Sequence, residues 1–262
     1  ANNNLVIFSS TDSFTDGNAS VMLDEVRGVL SQTIGVANYD VGHVLGTGAS
    51  GIAYLGVGCY DSGTPGPYKG GGVSLISTAA TLGNTFYITR IAHELGHQFG
   101  AYHSFNDSDP NYACAPSRAA AAAWESGSGL TVMSYAGSCN PITVTRAMHF
   151  HGGSIGQISS YVSYNGSCMT SSVISNNPPV VSGGSDYTIP RNTPFALTAS
   201  ASDPDVGDGA NLSYSWEQKD AGGASYGNPP FTDAGDGSGS TRPIFRPYAP
   251  VTSPTRFSIR SS

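Results

Sequence analysis

His93, Glu94, His97, Gly100 and His103 fall within eleven consecutive residues at the spacing HExxHxxGxxH. On a helix, His93 and His97 stand one turn apart on the same face, so both imidazoles reach one ion, while Glu94, rotated about 100° around the axis, addresses a water on that ion. Glycine tolerates the left-handed conformation that ends a helix and reverses the chain, so Gly100 predicts a stop that swings His103 back toward the same point. Three neutral imidazoles beside a carboxylate are the donor set of a zinc ion that acidifies water for hydrolysis. A lone histidine is more often packed or solvated than ligating. Five specified positions, however, coincide by accident in a chain of this length only about once in 10⁵ cases at background residue frequencies.

The same spacing is the signature of the metzincin metallopeptidases. Some thirty residues after the motif, Thr131-Val132-Met133-Ser134-Tyr135-Ala136-Gly137 resembles the Met-turn of that family. Alone, Met133 reads as core packing, the commoner use of a flexible thioether; the resemblance makes it an apolar floor beneath the zinc-binding imidazoles. It also puts Tyr135 near the metal, as in astacin-like and serralysin-like members but not in typical reprolysins. Three roles stay open for that tyrosine: a fifth ligand, a donor to the oxyanion, or a packed ring.

The elements that must position these residues follow from composition and periodicity. The chain has 262 residues with 39% hydrophobic content, enough for one good core and a second, smaller one. Charged residues make up only 11% and glycines number 34, a profile that suits a secreted protein. A net charge of −7 without a Lys/Arg run argues against nucleic acid or an anionic membrane as partner, and no apolar run approaches a membrane span. Cys59, Cys114, Cys139 and Cys168 form an even set without a CxxC pair, so two disulfides are expected in an oxidising compartment, with three pairings open.

Leu5–Phe8 reads as a buried strand, and apolar positions from Val21 to Ile34 at three- and four-residue steps predict a helix with Asp24 and Glu25 in its first turns. Val41–Leu45, Ile52–Val57 and Val73–Ser77 read as strands between glycine-rich turns, followed by the motif helix from about Asn84 to Phe99. That alternation implies an α/β sheet. A short helix is expected at Ala119–Trp124 and an amphipathic one through Ile155, Ile158, Tyr161 and Val162, closed by Cys168. His149 and His151, an H-x-H pair, read as helix-entry structure rather than a metal site because no carboxylate or cysteine accompanies them, and His43 reads as structural.

Composition changes near Ser171, and Asn176-Asn177-Pro178-Pro179 reads as a linker. Beyond it, Phe195–Ala201 and Leu212–Glu217 alternate apolar with polar residues as strands half-buried in a sandwich do. This part resembles the immunoglobulin-like modules, of the polycystic-kidney-disease or cadherin-like kind, that follow catalytic domains in bacterial secreted proteases. Asp203, Asp205 and Asp208 offer three oxygens where calcium takes six to eight, so a solvated turn is favoured over a Ca²⁺ site.

Taken together, the chain is similar to the reprolysin-like (adamalysin-like) branch of the metzincins, in its bacterial secreted form. The resemblance implies a hydrolase with an α/β catalytic domain over 1–170, built of a mixed sheet, an active-site helix and a C-terminal helix. A linker over 171–178 and a partial all-β immunoglobulin-like sandwich over 179–262 would follow. It implies His93, His97 and His103 as ligands of one Zn²⁺, Glu94 as general base, and Tyr135 as a catalytic candidate. It implies a monomeric, extracellular metalloprotease acting on proteins or peptides, with neither nucleic acid nor membrane insertion. By analogy with reprolysins it pairs Cys59 with Cys168 and Cys114 with Cys139. The family has a longer α/β half than the roughly ninety residues before His93, and Arg260-Ser261-Ser262 leaves too few strands for a whole sandwich, so the chain is expected to be a trimmed piece of a larger precursor. Two rivals remain: an adhesion protein whose metzincin domain no longer turns over, against which the intact Glu94 argues, and a non-proteolytic zinc hydrolase, which leaves the Met-turn unexplained.

Overall fold

A computed structural model describes residues 12–77, 85–108, 114–138, 146–190, 193–221, 243 and 245–258. The strand expected at Leu5–Phe8 lies outside them. The chain divides into two units, Ala1–Tyr102 with Met148–Thr170 and His103–Ala147 with Ser171–Ser262.

In the first unit, helix α1 (Ala19–Thr33) starts where the Asn18 side chain accepts the Val21 N–H at 3.2 Å. The helix starts two residues before Val21, which puts the expected acids in its second turn. There Asp24 pairs with the buried Arg27 at 2.6 Å, and Glu25 holds Thr15 through its backbone N–H and hydroxyl at 2.8 and 2.6 Å. A three-stranded sheet has the order β1 (Val44–Thr47), β3 (Gly72–Ile76), β2 (Gly51–Ala53), with β1 parallel and β2 antiparallel to the central strand. Strand alternation gives β3 two different faces. Val73 and Leu75 pack with Met22, Leu23 and Val26 of α1 into the unit's core, while Ser74 Oγ meets His43 Nε2 at 2.9 Å on the other side.

Helix α2 (Thr85–Gln98) carries the motif and is anchored at both ends. Arg90 Nη1 donates to Leu75 O at 2.9 Å. At the C-terminal end the wholly buried Gln98 donates to Gly42 O at 2.8 Å and accepts from His43 Nδ1 at 2.9 Å. The N–H groups of Gly56, Val57 and Gly58 donate to His97 O and Gln98 O at 2.8–3.1 Å, so carbonyls that a helix end leaves unpaired are satisfied by one turn of chain. Helix α3 (Gly152–Asn165) reaches the same turn, Tyr161 donating to Gly58 O at 2.7 Å, and Cys59–Cys168 closes the arrangement covalently. That pairing is the one the reprolysin resemblance implied. Cys114 is also disulfide-bonded; its expected partner, Cys139, lies outside the described residues.

In the second unit the described part of 103–138 holds only short 3₁₀ turns and an isolated bridge between Phe105 and Glu125. The helix expected at Ala119–Trp124 is a single 3₁₀ turn, Ala120–Ala122. Six residues are too few to repay helix nucleation, even when most are alanine. Further on, β4 (Val180–Ser182) pairs with β6 (Ser200–Ser202), and β5 (Phe195–Thr198) with β7 (Thr255–Ser258), both antiparallel. The alternating run from Phe195 is therefore two strands broken at Ala199, whose N–H donates to Pro254 O at 3.1 Å, and its halves join different sheets. In the other expected strand only Tyr214 pairs, as a bridge to Val251. Among the described residues no helix is long and apolar enough to cross a membrane.

Candidate metal centre

The turn that ends α2 has the form predicted from Gly100. Its φ is +85°, Gly100 N donates to His97 O at 2.9 Å and Ala101 N donates to Gly96 O at 2.9 Å, the paired bonds of a Schellman cap. Reversal of the chain brings Ala101 O to 2.7 Å from His97 Nδ1. A carbonyl only accepts, so Nδ1 carries the proton and Nε2 is the atom presented as ligand. His97 Nε2 lies 3.1 Å from His93 Nε2. His103 is oriented the same way, its Nδ1 donating to Ser117 O at 2.6 Å, and burial pulls its pKa below the ordinary histidine value against the opposing effect of that bond. The lowered pKa favours the neutral ring that a metal ligand must have, and the bond to Ser117 O leaves Nε2 as the nitrogen presented to an ion.

Within this eleven-residue stretch the ligand atoms of His93, His97 and His103 all lie within 4.8 Å of one another. The donor set fits zinc. Two nitrogens 3.1 Å apart, each about 2.05 Å from a shared ion, subtend about 98°, close to a tetrahedral angle. The hydrogen bonds from Nδ1 to backbone carbonyls are the outer partners that fix ring orientation in such sites.

Glu94 is only 6% exposed, and burial pushes its carboxyl up to about 8, against the pull of Arg90. The place of Glu94 is kept by a residue the sequence reading passed over. A Cβ on Gly51 of β2 would stand 2.3 Å from Glu94 Oε1, 2.8 Å from Cδ and 2.9 Å from Cγ. The carboxylate thus rests against bare backbone of the sheet edge, a long-range contact for which the sequence carries no local signal.

In the second unit Tyr135 packs edge-to-face on His103 with ring centroids 4.6 Å apart and stacks on Phe105 at 4.7 Å. Met133 is wholly buried, and its carbonyl accepts from Ser104 N at 3.0 Å, joining the residue after His103 to the Met-turn. Glu125, also missed from sequence, is fully buried beneath both segments. One signal was available: it is the only charged residue between Arg118 and Arg146. His151 caps α3, its Nδ1 accepting the Gly153 N–H at 3.0 Å, which is the helix-entry role expected of it. Ligand atoms of Asp203, Asp205 and Asp208 lie within 4.8 Å of one another, and Asp205 accepts two hydrogen bonds from Asn177 at 2.6 and 2.8 Å, which hold its pKa below the usual carboxylate range.

Two imidazoles on a sheet-backed helix, a third from the chain that reverses behind it and a buried carboxylate fit the class of zinc-dependent peptidases. Residues 4–164 match the model of the reprolysin-like metallopeptidase family M12B, and the chain belongs to that family. It is a zinc metalloendopeptidase, and its substrates are proteins or peptides. No curated protein matches the chain.

Proposed function

We propose that the chain is a secreted, monomeric endopeptidase in which His93, His97 and His103 hold one zinc ion and Glu94 moves the proton. Its catalytic domain spans 1–170, followed by a linker over 171–178 and an immunoglobulin-like module over 179–262. The observation that carries the reading is the eleven-residue motif, with its ligand nitrogens within 4.8 Å and two of its rings oriented by carbonyls. When bound, zinc supplies Lewis acidity, bringing the pKa of a water to about 7 and polarising a scissile carbonyl.

The rest falls to the chain's own groups. Glu94 accepts the water's proton at its carboxylate and returns it to the leaving amine, so no serine or cysteine nucleophile and no acyl-enzyme is needed. Burial of Glu94 against Gly51 keeps bulk water from competing for that proton. Tyr135 donates its phenolic hydrogen to the developing oxyanion, a reading supported by the packing of its ring on His103. Met133 supplies the buried apolar footing of its turn. The disulfide Cys59–Cys168 and the low charged content support an oxidising, extracellular setting.

The test is cleavage of casein and of a peptide library by the purified chain, with and without chelator, alongside the Glu94→Ala variant. Expected are chelator-sensitive cleavage restored by zinc, and a variant that keeps stoichiometric zinc but turns over at least about a hundredfold more slowly. Wild-type activity in Glu94→Ala would sink the assignment.

A further inference from the structure

Burying a carboxylate is unfavourable unless its oxygens are well supplied with donors, so a wholly buried acid outside the reacting groups calls for a reason. In Glu125 those donors are all present. Its Oε1 accepts from Ser104 Oγ at 2.5 Å and from Thr131 Oγ1; its Oε2 accepts from the backbone N–H of Leu130 at 2.6 Å and of Thr131 at 2.9 Å. The main chain repeats the linkage, with Glu125 N donating to Ser104 O at 2.8 Å and Ser104 N to Met133 O at 3.0 Å. Gly129, at φ +73°, closes over the carboxylate so tightly that a Cβ there would stand 3.0 Å from Oε2. The two segments joined in this way are the one that begins at His103 and the one that carries Met133 and Tyr135.

We propose that Glu125 is a positioning residue of the metal centre, its carboxylate tying the strand of chain behind His103 to the Met-turn and so fixing the third imidazole against Tyr135. The proposal rests on His103 being a zinc ligand. Ser104 is the link on the histidine side and Thr131 the link on the turn side. A purely apolar filling would pack the same space without setting the register of two segments that have no helix or sheet of their own.

The two informative variants are Ser104→Ala, which cuts only the histidine-side link, and Glu125→Gln. In the second, the amide oxygen can keep the two backbone N–H groups, which only donate, while its NH₂ faces two hydroxyls that can rotate to accept, so the fold is retained and the tether loosened. Zinc release to a chromophoric chelator is measured well below the unfolding temperature, with the melting midpoint of each metal-stripped protein, kcat and KM. Expected is release about 10- to 100-fold faster in both variants, the scale seen when a ligand's outer partner is removed, with kcat lowered and KM little changed. The double variant should be no worse than the worse single one, because both cuts sever the same tether.

Zinc release within twofold of wild type in both variants overturns the proposal, whatever the melting midpoints do. Failure of the underlying reading is seen separately: His103→Ala with wild-type zinc affinity would remove the ligand assignment and this proposal with it. If His103→Ala loses zinc while the other two variants hold it normally, the positioning role alone is refuted.

Discussion

Gly51→Ala should disable the enzyme without emptying its metal site. The added Cβ would sit 2.3 Å from Glu94 Oε1, whereas ordinary contact begins near 3.4 Å, so the carboxylate must retreat by about 1.1 Å. The atoms in the way are the last three of a flexible side chain rather than backbone, and Gly51 has no left-handed φ to protect. The side chain therefore yields and the strand stays paired with Ser74. A displacement of about 1 Å in a catalytic group costs on the order of a hundredfold in rate, or about 2.7 kcal/mol of transition-state stabilisation. On a fluorogenic peptide we expect kcat down by about that factor, with zinc content, KM and melting temperature near wild type. Because the effect runs through Glu94, adding Gly51→Ala to Glu94→Ala should cost nothing further. A kcat within twofold of wild type, or full additivity in the double variant, would refute the reasoning.

Tyr135→Phe separates the three roles left open for that ring: a fall in kcat of about a hundredfold at constant KM and zinc content marks an oxyanion donor, loss of zinc marks a ligand, and unchanged kcat marks packing. We expect the first. His43 bears on acid stability: burial lowers its pKa, so as pH falls below the unfolded value of about 6.5 the unfolded state takes up the proton first and the fold loses stability, by at most about 1.4 kcal/mol per pH unit. His43→Gln can still donate to Gln98 and accept from Ser74, so its urea midpoint should drop less than wild type between pH 7 and 5; equal drops would discount His43 as the titrating group.

What the sequence made legible is what it encodes locally. The ligand spacing, the glycine that reverses the chain, and the amphipathic helices all repeat within one or two turns, and each appears within two or three residues of its expected bounds. Pairing of Cys59 with Cys168 came from family resemblance, since 109 residues separate them and spacing alone left three pairings. Gly51 and Glu125 were not legible for the same reason: one acts by lacking a side chain beneath a residue 43 positions later, the other by accepting from Ser104 and Thr131 on two separate segments. The alanine run misled because propensity counts for little when the chain must turn at once into Glu125, whose N–H is committed to Ser104 O.

The Cys59–Cys168 bond also has a topological side. Every peptide bond from Tyr60 to Ser167, including the motif, the Met-turn and all of the chain between α2 and α3, lies inside the ring that it closes. An endopeptidase spends its working life among chain-cutting enzymes, itself included, and its irregular segments are where nicks fall. A single cut anywhere in that ring leaves both pieces covalently joined, so the two ends of the turn-and-helix assembly that holds α2 cannot drift apart and the break stays local until a reductant arrives.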